Sequence, residues 1–168
     1  VTERVCLVGK LVTGLKIWHL RPESTFYPSK NFERITATLP EGSDVMFLFG
    51  EIDCREGVLQ SIDRGKYENY EEAFTKLGHI YLDALKRVAT KRKLRRVFVH
   101  LPLAIIDVTR ELVLQCCYYM RRVLCTTATV GPAKLIVFDV NPRLLDDTKK
   151  NLRAEYKFDN THASPAYL

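Results

Sequence analysis

No apolar run in this sequence approaches the roughly 18 residues that a membrane-crossing helix needs, which excludes a helical membrane span. No two cysteines stand at C-x-x-C spacing, so no zinc site is suggested. Internal repeats and low-complexity tracts are absent, and glycine and proline are scarce, at 8 and 7 of 168 residues. That excludes collagen-like and disordered chains. The cysteines are Cys6, Cys54, Cys116, Cys117 and Cys125. An odd number without framework spacing fits free thiols in an intracellular reducing compartment, either cytoplasm or an organelle interior. The first residue is Val1, not Met. That reads as a processed or partial product from which any targeting peptide is missing.

What is present is ordinary globular composition, 46% hydrophobic and 27% charged. The length predicts a single domain over 1–168. Such a chain buries about two thirds of its unfolded surface and needs no metal or disulfide to fold. No cofactor is called for. The net charge is +6, and five of the cations sit in one run: Lys91, Arg92, Lys93, Arg95 and Arg96. The basicity is therefore local. A run of this kind binds RNA, an acidic partner or anionic lipid, or is simply a solvated helix end that leads into a strand.

Four short apolar runs read as strands: Val5–Val8, Val45–Phe49, Val97–Leu101 and Leu135–Val140. They show little alternation, the mark of strands buried on both faces of a parallel sheet. Helical patterns lie between them. Tyr70–Val88 places Ala73, Phe74, Leu77, Ile80, Tyr81 and Ala84 at intervals of three and four. A second helix spans Thr109–Cys125. A third starts at Asn141-Pro142, where Asn suits a cap and Pro the first turn. Thr13–Trp18 and Phe32–Leu39 read as shorter helices. Strands separated by such helices predict an α/β fold with right-handed crossovers and helices on both faces.

In such folds chemistry gathers beyond the carboxyl ends of the strands. Gly9-Lys10-Leu11 follows the first run. Gly50-Glu51-Ile52-Asp53-Cys54-Arg55 follows the second, and Pro102 follows the third with His100 just before it. Near the end stands Asp159-Asn160-Thr161-His162. A carboxylate three residues before a histidine can hold the imidazole and fix its tautomer, as a general base requires. A glycine turn after a strand can supply backbone N–H donors to an oxyanion. His100 and Trp18 read as packing residues.

These blocks, in their order and spacing, resemble the SGNH/GDSL hydrolase superfamily along nearly the whole chain. The resemblance implies a three-layer α/β/α sandwich of flavodoxin-like type and ester or acyl hydrolysis. It assigns Asp159 and His162 as the catalytic dyad, and Gly9, Gly50, Asp53 and Arg55 to the oxyanion cleft. Two positions depart from the family pattern. Leu11 stands where the serine nucleophile belongs, and Ile52 where an asparagine helps bind the oxyanion. Thr13 is turned away from the site by a two-residue shift, and Ser164 has no evident oxyanion partner.

The expectation is a pseudo-hydrolase that serves as a ligand-binding or structural subunit of a larger assembly. The alternative is an active hydrolase using the Asp159–His162 dyad with another nucleophile or with activated water. A second alternative is an RNA- or acidic-partner-binding module through Lys91–Arg96. That run lies at the amino end of its strand, about 15 Å from the catalytic edge.

Overall fold

In the computed structural model the described residues are 7–148, 150–159, 162–164 and 166. The chain is a mixed α/β structure compatible with an α/β/α sandwich. A 3-10 turn at Ile17–Leu20 precedes α1 (Tyr27–Thr36) and β1 (Asp44–Leu48). A π-helical turn at Asp53–Gly57 leads into α2 (Val58–Asp63), followed by α3 (Tyr70–Arg92), β2 (Arg96–His100) and α4 (Arg110–Leu124). The rest is β3 (Thr129–Val130), β4 (Ala133–Phe138) and the single turn α5 (Asn141–Leu144). The sheet order is β1-β2-β4-β3. β1, β2 and β4 are parallel, and β3 runs antiparallel to β4.

The long helices follow the apolar periodicity. Asn69 caps α3, its side chain accepting from the Glu72 amide at 3.0 Å. Glu71 and Glu72 lie in the first turn and Lys91 and Arg92 in the last, matching the helix dipole. Leu77 and Ile80 are buried, as the periodicity predicts. Gly78 lets α3 approach α4: a Cβ there would stand 3.0 Å from Cβ of Val123.

The crossovers β1-α3-β2 and β2-α4-β4 advance in the same direction across the sheet. Right-handed connections therefore put α3 and α4 side by side on one face. Their cover buries Phe47, Val97, Val99 and Leu135. α1 lies on the same face, with Phe32 against Phe47 at 6.2 Å between ring centroids. The described helices longer than two turns thus all pack on this face.

Several expectations are corrected here. Val5 and Cys6 lie outside the described residues. Leu7 and Val8 are in no strand and are exposed, so β1 is an edge strand of the described sheet. The early helix is the 3-10 turn Ile17–Leu20, because a distant carboxylate holds its amides. The next begins at Tyr27, with Pro28 in its first turn. Asn141 does not cap α5. Buried, it accepts from the Ala104 amide at 2.9 Å and donates to the Pro102 carbonyl at 3.0 Å, tying the loop after β2 to the end of β4.

The thiols are not all free. Cys54 and Cys116, 62 positions apart, form a disulfide between the π-helical turn and α4. Cys117 is free and buried, its thiol pushed up to about 12 chiefly by burial, and Cys125 is free and exposed. Among the described residues no helix is long and apolar enough to cross a membrane.

Candidate functional site

β1 ends at Leu48, and Phe49-Gly50 turns the chain into the π-helical segment. Gly50 has φ of +111°, a backbone conformation that only glycine adopts without strain. A Cβ on it would stand 2.6 Å from Cδ1 of Ile17 and 3.7 Å from Pro102. Ile17 therefore fills the corner between the carboxyl ends of β1 and β2.

Asp53, 2% exposed, holds Ile17 there. Its Oδ2 accepts from the Ile17 amide at 2.7 Å and its Oδ1 from the Trp18 amide at 3.1 Å. These are orphan donors at the start of the 3-10 turn, satisfied by a side chain 36 and 35 positions away. Burial raises the Asp53 carboxyl above the usual carboxylate range, and the two amide bonds oppose the shift. Both oxygens are committed to structure. Asp53, expected in the oxyanion cleft, caps the turn and seats Ile17.

Arg55 is flanked by carboxylates, with Nε 2.6 Å from Glu51 and Nη1 2.7 Å from Glu56. The Cys54 amide donates to the Gly50 carbonyl at 3.1 Å. The backbone after β1 thus continues directly into a helical turn.

Asp159 and His162 are brought together. Asp159 Oδ2 lies 2.7 Å from His162 Nδ1, and its Oδ1 accepts from the His162 amide at the same distance. The amides of Phe158 and Asp159 close the turn by donating to the His162 carbonyl. Both side chains are exposed, Asp159 by 45%. Between these two residues, Asn160 and Thr161 lie outside the described residues. Ser164 receives a hydrogen bond from the Ala166 amide at 3.3 Å.

Gly9 and Leu11 lie in irregular backbone, and Leu11 is 81% exposed. No hydrogen bond among the described residues joins Gly9 or Leu11 to Gly50, Asp53 or the dyad. His100 is buried and packed, with Nδ1 2.8 Å from the Leu101 carbonyl. Trp18 packs edge-on against Tyr67 at 6.4 Å, and the Arg21 guanidinium lies 3.8 Å from its ring centroid.

The basic run is partly compensated. Arg95 makes a bidentate pair with Asp44 at 2.9 and 2.6 Å, and Arg96 bonds the same carboxylate. Lys93 reaches Glu41 at 3.3 Å, and Arg92 Nε donates to the Leu39 carbonyl at 2.8 Å. Lys91 borders a hollow of about 210 Å³ between α1 and α3.

Sequence reasoning found both aspartates and missed what Asp53 does, because the amides it caps are distant in sequence. It also missed the Cys54–Cys116 pairing for the same reason. Among the described residues no cluster of three or more metal-ligating side chains is present. Compared with protein-family models, curated proteins and solved structures, the chain matches none of them.

Proposed function

We propose that this chain is a hydrolase-like domain of SGNH type that has lost its nucleophile and acts as a binding or structural subunit of a larger assembly. The observation that supports it most directly is the fate of the cleft residues. Leu11, at the nucleophile position, offers no attacking atom, and the Asp53 carboxylate is bound to the Ile17 and Trp18 amides. Without a nucleophile an acyl-enzyme route loses its first step. A missing oxyanion donor costs about a further 10²–10³ in rate. One observation favours the second reading, an active ester or acyl hydrolase: the Asp159–His162 geometry is that of an oriented general base.

Hydrolysis of a short-chain aryl ester by wild type, His162→Ala and Leu11→Ser separates the two. Wild type and His162→Ala are expected to match the buffer rate. Turnover by wild type that His162→Ala abolishes overturns the proposal in favour of the hydrolase.

An intracellular reducing compartment is part of the same proposal, and the Cys54–Cys116 bond pulls against it. Alkylation of the denatured protein, purified without reductant, is expected to label all five cysteines if the pair is reduced in its native setting. Labelling of three removes that placement.

A further inference from the structure

Arg87 and Lys91 stand four residues apart on α3, neighbours on one helix face. Together with Arg92 they line the hollow of about 210 Å³ between α1 and α3. Two of the three cations are fixed in place. Arg87 Nη2 donates to the Leu20 carbonyl, and Arg92 Nε to the Leu39 carbonyl at 2.8 Å. A guanidinium has five N–H donors, so each keeps others for a ligand. Lys91 is exposed and makes no ion pair among the described residues.

The α1 side adds a hydroxyl. Ser29 lines the hollow and is only 6% exposed, and its Oγ makes no hydrogen bond among the described residues. Thr36, on the same side, differs: its Oγ1 donates to the Phe32 carbonyl at 2.8 Å. A buried hydroxyl is normally hydrogen-bonded, and leaving one without a partner is costly. Phe32, Ala84 and Val88 make another part of the lining apolar.

Charge and size select the ligand. Glu33 is the only carboxylate among the described lining residues, against three cations. That surplus matches a phosphate monoester, which carries about −1.5 to −2 charges near neutral pH and offers three acceptor oxygens. Arginine forks and a lysine point charge are common partners of such a group. A carboxylate or a sulfate ester brings only one negative charge. The volume lies below the roughly 300–1,000 Å³ of sites for drug-sized ligands, so it fits a compact head with a small apolar body. A nucleic-acid strand tracks an extended basic groove, whereas these cations converge on one hollow.

We infer that the hollow binds the head of an organic phosphate monoester, with Arg87, Lys91 and Arg92 on its oxygens, Ser29 donating to one of them, and the apolar part of the ester against Phe32 and Val88. None of these residues belongs to the Gly50–Asp53 corner or to the Asp159–His162 pair. Ester turnover therefore bears on neither this site nor its test.

The probe is phenyl phosphate, titrated calorimetrically into the full chain, with phenyl sulfate as a monoanion of similar shape. Phenyl phosphate is expected to saturate one site at least about fivefold more tightly than phenyl sulfate, and to weaken as salt rises toward about 1 M. Lys91→Ala is expected to weaken it at least about tenfold, and Ser29→Ala about threefold or more. Glu33→Gln is expected to tighten it by removing the like charge. Lys93→Ala lies in the same basic run but outside the hollow, and is expected to change binding less than about twofold. Lys91 and Lys93 are both exposed, and unchanged melting temperatures verify the fold.

Sedimentation with phosphatidylcholine vesicles containing phosphatidate distinguishes the source of the ester. Uptake that Lys91→Ala removes assigns it to a lipid headgroup, and protein left in the supernatant beside phenyl phosphate binding assigns it to a small solute. Failure of phenyl phosphate to saturate by about 10 mM, with no vesicle uptake, overturns the inference. So does equal binding of phenyl sulfate. Equal weakening by Lys91→Ala and Lys93→Ala overturns it too, since the basic run as a whole then holds the anion.

Discussion

Two aspartates each accept two hydrogen bonds from described residues. Asp53 takes the amides of Ile17 and Trp18, and Asp159 takes the amide and ring nitrogen of His162. The donors are alike and the distances nearly so. The surroundings are not. Asp53 is buried and joins segments 35 positions apart, whereas Asp159 is exposed and closes a turn within three residues. The same chemistry that fastens a tertiary corner in one place orients an imidazole in the other. A carboxylate's role is thus set by where its acceptors are spent, not by the motif in which it stands.

Asp53→Ala is the sharpest way to break the comparison. It removes two charge-assisted hydrogen bonds and leaves two buried amides unsatisfied, at about 3–5 kcal/mol of stability. Urea unfolding at neutral pH measures it, and a loss under about 1 kcal/mol means Asp53 is not the fastening. The corner has a pH signature as well. A carboxyl whose folded pKa is raised binds its proton more tightly in the folded state. Its stabilising contribution is fully present below the unfolded value near 3.8 and is lost as pH rises through the raised folded value. Asp53→Asn cannot titrate, so its deficit against wild type is expected to be larger in acid than at neutral pH. A deficit that grows toward neutral pH contradicts the direction of the shift.

The next effect concerns the residue beside Asp53. Cys54 ties the same π-helical turn to α4 through Cys116, closing a loop of 62 positions. Reduction of the bond is expected to cost about 2–4 kcal/mol, chiefly by releasing the unfolded chain. Unfolding with and without dithiothreitol measures it. If the midpoints coincide, the corner is held by Asp53 and packing alone.

The two aspartates also mark how far the sequence could be read. α3 and α4 were legible because helix formation is local: apolar residues recur at three and four, and Asn69 sits at the start. The parallel strands were legible from continuous apolar runs, to within a few residues. Thr129–Val130 was not, since two residues have no period. The Asp159 turn needed only a three-residue spacing. The Asp53 cap, the Cys54–Cys116 bond and the buried role of Asn141 all join positions more than 30 apart, where no local pattern points to the partner.

The smallest effect belongs to Asp159. Asp159→Asn keeps an acceptor for the His162 amide and loses the charge beside Nδ1. With 45% of the side chain in water, solvent replaces most of what is removed. The expected stability change is within about 0.5 kcal/mol, against several for Asp53→Ala. The ring should respond far more than the fold does. A carboxylate at 2.7 Å from Nδ1 fixes the orientation of the ring, so its removal is expected to change the His162 ring resonances in NMR spectra. A large stability loss with an unmoved histidine would make Asp159 a second structural fastening. The contrast between the two aspartates would then disappear, and with it the best physical reason to regard His162 as an oriented base.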